Sequence, residues 1–218
     1  MERSILNISA YRDKKQNQGE YNAKGLIRKV MEFTERNANI REKVRARNLF
    51  RNLIGLSEEQ IFSPNQEKAF TEWFLYDYQT IQGLTMFSLF LRKYHQHLTE
   101  PELIQGALFL TSVFEPVQIE EIYPEKNELF VSEVFSGKQC LLFYEKADFS
   151  SISKGDLYFV RKISIIKRDL VIGNMYRVND KSVLERLERE YDMTVKEDQP
   201  SSWMTFLKRT AIKFLFHT

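Results

Sequence analysis

Cysteine occurs once and histidine three times in this chain of 218 residues. That leaves no disulfide framework and none of the usual four-ligand structural zinc sites. Eight glycines and five prolines supply little material for phosphate-cradling loops. No Gly-x-Gly-x-x-Gly, P-loop, His-Glu-x-x-His or Gly-x-Ser-x-Gly pattern occurs, so the common nucleotide, metalloprotease and hydrolase signatures are excluded. No run approaches the roughly 18 consecutive apolar residues of a membrane span, and the N-terminus lacks an apolar signal core. The expected setting is the reducing cytoplasm. A large charge excess is missing too: 32 Lys/Arg against 30 Asp/Glu give a formal net charge of +2.

What is present, 43% hydrophobic, 28% charged and 13% aromatic residues, is the composition of an ordinary globular chain with a sizeable core. Charge is unevenly placed. Residues 1–56 carry 13 Lys/Arg against six Asp/Glu, whereas residues 57–111 carry three against seven.

The aromatic mass concentrates in Phe70–Leu91. Phe70, Trp73, Phe74, Asp77, Tyr78 and Ile81 recur at spacings of three and four and predict one buried helical stripe. Ser63, Pro64 and Gln66 supply a capping box with proline at the first helical position, and Gly83 marks the expected end. Thr85 caps a second helix whose stripe is Phe87, Phe90, Leu91, Tyr94 and Leu98, giving an αα-hairpin. Asp77 is out of place on this aromatic face. A carboxylate satisfied by a backbone amide or a tyrosine hydroxyl is the commoner reading, ahead of a catalytic acid.

Taken in order, residues 1–20 are polar and weakly periodic and read as a mobile or loosely docked arm. A helix is expected from Asn22, interrupted at Asn37-Ala38-Asn39. A fresh cap at Asn39 then opens a helix with Ile40, Val44, Leu49, Leu53 and Ile54 inward, ending at Gly55. Its outer side would carry Arg41, Lys43, Arg45, Arg47 and Arg51, a run able to track a phosphate backbone. A solvated face paired with the acidic segment that follows is the simpler reading, since basic helix faces are common. Ser57–Gln60 and Thr99–Glu102 are further capping boxes. His95 and His97 point to different faces of a helix and make no metal pair, so no metal or other cofactor is expected.

Around Val113 the period changes from 3.6 to about 2. Strands are predicted at 113–123, 128–135, 139–146, 156–165 and 169–177. Five short antiparallel strands suggest a small barrel of SH3 or OB type, since closure removes exposed edges. Among its aromatics, Tyr144 and Tyr158 are candidate partner contacts, although filling the barrel is the commoner use. Cys140 reads as a packed thiol rather than a nucleophile. A charged helix begins at Ser182. After an acidic linker, Trp203 opens a terminal helix whose Trp203, Lys208 and Arg209 could meet a partner groove or a membrane surface; docking back on the chain itself is simpler.

The chain thus reads as α+β: an arm at 1–20, a helical domain at 21–112, a small antiparallel five-stranded SH3/OB-like barrel at 113–181 and C-terminal helices at 182–218. The stretch Phe70-x-x-Trp73-Phe74-Leu75-Tyr76-Asp77, the step Gly83-Leu84-Thr85, Val131–Lys138 and Lys154-Gly155-Asp156-Leu157 together resemble a module of uncharacterised bacterial proteins. Some of these carry a C-terminal SEC-C zinc motif. The likeness spans roughly residues 65–175. It implies the hairpin-plus-barrel fold and transfers no catalytic residue, and the zinc motif is absent here. Three functions fit: a non-enzymatic binding or regulatory protein engaging another macromolecule, a nucleic-acid binder using Arg41–Arg51 and barrel aromatics, and an enzyme of unrecognised class.

Overall fold

The computed structural model describes residues 7–145, 148–196 and 202–216. Five α-helices precede the barrel: α1 (Ile8–Asn37), α2 (Ile40–Leu53), α3 (Pro64–Tyr76), α4 (Met86–Tyr94) and α5 (Glu100–Thr111). The strands are β1 (Phe114–Tyr123), β2 (Glu128–Glu133), β3 (Gln139–Phe143), β4 (Leu157–Ser164) and β5 (Asp169–Arg177). Two helices follow, α6 (Ser182–Lys196) and α7 (Trp203–Phe214).

Helix starts follow local chemistry closely. The Ser63–Gln66 and Thr99–Glu102 capping boxes both form, and the hydroxyls of Thr85 and Ser202 accept from the amides of Ser88 and Thr205. The Ser57–Gln60 box forms only in half: the Gln60 side chain accepts from the Ser57 amide at 2.9 Å, but the Gln60 amide bonds the Ser57 carbonyl, which makes a turn, and no helix follows. Helix α3 stops at Tyr76, well before Gly83, so Ile81 leaves the expected stripe and stands 81% exposed.

The expected arm is part of α1, a continuous 30-residue helix from Ile8. Its polar appearance has a specific cause: the buried residues Gln16 and Glu20 bind the β4–β5 loop. The Gln16 side chain accepts from the amides of Ile166 and Lys167 at 3.0 and 2.7 Å and donates to the Arg168 carbonyl. Glu20 takes the Arg168 guanidinium at 2.8 Å. Gly19 lets the helix come this close, since a Cβ there would lie 2.4 Å from Ile165.

The barrel is closed in the order β1-β2-β3-β5-β4. It is mixed where an antiparallel barrel was expected: β3 and β5 pair in parallel, Leu142 with Asp169 and Phe143 with Leu170. The reason is topological. Strand β4 returns to lie beside β1, a Greek-key step, and β5 is left to close the gap beside β3. Val117, Ile119, Leu129, Val131, Leu142, Tyr158 and Val160 fill the interior. Phe114, Phe159, Ile163, Leu170, Ile172 and Tyr176 instead join the core of the helices, so one large apolar cluster crosses from the helical half to the barrel.

Candidate functional site

At the seam between these halves, the Asp77 carboxylate forms a buried ion pair with Arg161 of β4. Neither the backbone nor a tyrosine satisfies it. The guanidinium is fully buried, donates to the Ser112 carbonyl at 2.7 Å and lies over Phe114 at 4.5 Å from the ring centroid. Burial pushes Asp77 upward, opposed by Arg161 and by Lys208. Lys208 donates to the Leu110 carbonyl and is held below its ordinary value by burial. This is a structural pin: both charges are enclosed, with no opening to a substrate.

Five residues before Asp77 is Glu72, which falls outside the expected aromatic stripe. It lies one helical turn before Tyr76 on the side of α3 that faces β5. Only 6% of it is exposed. Its Oε1 accepts from the Asn174 amide at 3.0 Å, from Asn174 Nδ2 at 2.8 Å and from the Tyr176 hydroxyl at 2.8 Å, while the buried Oε2 has no hydrogen-bond partner among the described residues. Gly173 makes room for this carboxyl: it has φ +78°, and a Cβ there would lie 2.2 Å from Glu72 Cδ. Burial pushes the carboxyl up to about 7, against the lowering pull of Asn174, Tyr176 and Arg161. The Tyr176 hydroxyl is driven up in turn by burial and by this neighbouring acid.

Glu72 lines a cleft of about 400 Å³ between α1, α3 and the β3 and β5 side of the barrel. Ile27, Leu75, Leu170, Ile172 and the rings of Tyr76 and Tyr144 form its walls. Lys24, Lys68, Thr71 and Glu145 stand around it, Lys24 and Glu145 as an ion pair of 2.7 Å. A second cleft, lined by Lys43, Val44, Phe70 and Phe74, adjoins the first through the shared residues Met31, Thr71 and Leu75.

This second cleft borders α2, where the inward face differs from the one expected. Ala46, Phe50 and Ile54 are buried, whereas Ile40, Val44 and Leu49 are 70%, 53% and 40% exposed. Phe50 turns the helix over by packing against Phe62, Phe70 and Trp73. The basic residues then separate into two groups. Arg47 pairs with Glu67 and lies over Phe62 and Phe70; Arg51 donates to the carbonyls of Ser57, Glu58 and Gln60; Arg45 donates to the Tyr78 hydroxyl at 3.2 Å. Arg41 and Lys43 have no such partners among the described residues.

Of the other candidates, Tyr144 lines the Glu72 cleft, and Tyr158 is buried in the barrel interior. Trp203 packs edge-on against Tyr191 and beside Phe135, while Arg209 is exposed. Phe206, Leu207, Ala211, Ile212 and Phe214 turn the apolar face of α7 into the protein's own core, so that face is not free for a membrane or a partner groove. Cys140 is half-buried and its thiol is pushed up to about 12 by burial, as befits a packed group. No helix among the described residues is long and apolar enough to cross a membrane, and no group of His, Cys, Asp or Glu there could hold a metal.

Comparison with models of protein families, with curated proteins and with solved structures finds no match for the chain.

Proposed function

We propose that this protein is a non-enzymatic binding protein that engages another protein through the outer face of α2 and the adjoining cleft. The observation that carries this is the exposure of Ile40 and Val44, one turn apart, beside Met31 at 41% exposed. A monomer exposes a contiguous apolar group of this kind at a cost that a partner would remove. Arg41 and Lys43 flank it with charge that is unpaired among the described residues, and Lys68 stands nearby. An acidic amphipathic segment of a partner complements both features.

Nucleic-acid binding is the second reading, and the barrel favours it. We read it as OB-type, a reading supported by its Greek-key strand order and its parallel β3–β5 pair. Barrels of that type bind oligonucleotides on the β2–β3 face and the β1–β2 and β4–β5 loops. Here α1 already holds the β4–β5 loop, and three of the five basic residues of α2 are engaged internally, which is why the protein reading stands first.

Affinity capture with wild type and Val44→Glu, with and without nuclease, tests both readings. A specific protein bound by wild type, resistant to nuclease and lost with the folded variant, is the expected result. Recovery of the same proteins by both forms overturns the reading, and loss of all recovery on nuclease treatment turns it toward nucleic acid.

A further inference from the structure

The Glu72 cleft holds a feature that the α2 surface does not need: a deeply buried carboxyl with one oxygen saturated by three donors and the other bare. Buried polar atoms are nearly always paired, and an enclosed, unpaired acceptor on a side chain that lines a cleft calls for a donor. The cleft's volume of about 400 Å³ suits a small organic molecule. Its walls are aliphatic on the Ile27 and Leu75 side and aromatic at Tyr144 and Tyr76, which suits a flat, largely apolar body. The donor is a neutral N–H rather than an ammonium. A full cation would meet Lys68 on entry, Lys24 being paired with Glu145, and the field of Arg161 behind Glu72.

We propose that this cleft binds a planar nitrogen heterocycle of nucleobase type, with a ring or exocyclic N–H donating to Glu72 Oε2 and the ring lying against Tyr144. The base could arrive free, as a nucleoside or as a mononucleotide. In the last case Lys68, which has no partner among the described residues, would meet the phosphate. When Glu72 is ionised, Oε2 is a full acceptor; when it is protonated, Oε1 stays taken by its three donors and the proton on Oε2 makes that atom a donor instead. The groups that set its state are Tyr76 and Asp77 on its own side, Tyr176 and Arg161 from the barrel, Tyr144 at the end of β3, and Lys24, Glu145 and Lys68 at the cleft. Binding therefore weakens as the pH falls through the titration of Glu72.

The test is calorimetric titration of the full chain with guanosine, adenosine and cytidine and with their 5′-monophosphates. At least one base is expected to bind with Kd below about 1 mM. Glu72→Gln keeps the shape but turns an N–H toward the ligand, so at least a tenfold loss is expected. Wild-type affinity for the bound nucleoside is expected to fall several-fold between about pH 8 and pH 6. Nucleosides are used for this profile because a phosphate monoester itself titrates near pH 6. The profile is read on the unaltered protein, so it decides the matter even where the variant fails to fold. Equal affinity for nucleoside and monophosphate assigns the base alone. A phosphate gain lost in Lys68→Ala assigns the mononucleotide. No binding by any compound, an unchanged affinity in folded Glu72→Gln or a flat pH profile overturns the proposal.

Discussion

Glu72 links a cleft to the stability of the whole chain. Its folded carboxyl titrates at about 7, above the ordinary value of 4.5, so over that interval the folded state holds a proton that the unfolded state has released. Stability is greatest below the unfolded value, falls as pH rises and levels off above the folded one; the difference is about 3 kcal/mol. Urea unfolding across this range is expected to show Glu72→Gln without this loss, so the variant gains on wild type with rising pH. A constant difference between the two would show that Glu72 does not titrate in this way. Asp77 makes the opposite case, an acid whose partner cannot be removed safely. Asp77→Ala strands the Arg161 charge in a closed site and is expected to cost about 3–5 kcal/mol in denaturant midpoint measurements. Replacing both, as Asp77→Leu with Arg161→Met, is expected to recover most of that.

Among the elements, α1 shows what the sequence could and could not reveal. A polar run such as Asp13–Glu20 has no apolar stripe to announce burial, because its inward residues, Gln16 and Glu20, satisfy loop amides and a guanidinium that lie about 150 positions away. Gln16→Ala leaves two loop amides without their acceptor. It is expected to cost about 1–3 kcal/mol and to speed hydrogen exchange at Ile166 and Lys167, leaving the exchange of β2 unchanged. Caps were legible because they are local: Ser63, Thr85 and Thr99 start helices where their hydroxyls and following residues say they should. Strand positions were legible for the same reason, and their bounds differ by only a few residues. The parallel β3–β5 pair was not, because alternation gives a strand's faces but not its neighbours. Nor was the orientation of α2. Its apolar residues offer two stripes, and Phe50 decides between them through contacts with Phe62 and Trp73. Glu72 could have been noticed as an acid flanked by Trp73 to Tyr76, yet its position relative to β5 is a matter of tertiary packing.

At the scale of the molecule, the two halves share one core, which makes the expected boundary at 112–113 a change of secondary structure rather than a point of independence. Tyr76, Phe87 and Phe109 pack together in a cluster that continues into Phe114 and Ile172 of the barrel. The intact protein is expected to unfold in one transition, coincident by near- and far-ultraviolet circular dichroism. A fragment spanning 7–112 is expected to keep helical signal without a cooperative transition; a sharp one would mean that the helices fold alone.

The Asp77–Arg161 pin also has a consequence in time. The two residues are 84 positions apart. At a synthesis rate of about 5–20 residues per second, Asp77 leaves the ribosome roughly 4 to 17 seconds before the guanidinium that pairs with it. During that interval the acid has no counter-ion and the aromatic face has no barrel to cover it. The nascent chain must therefore wait, partly assembled, for its fourth strand.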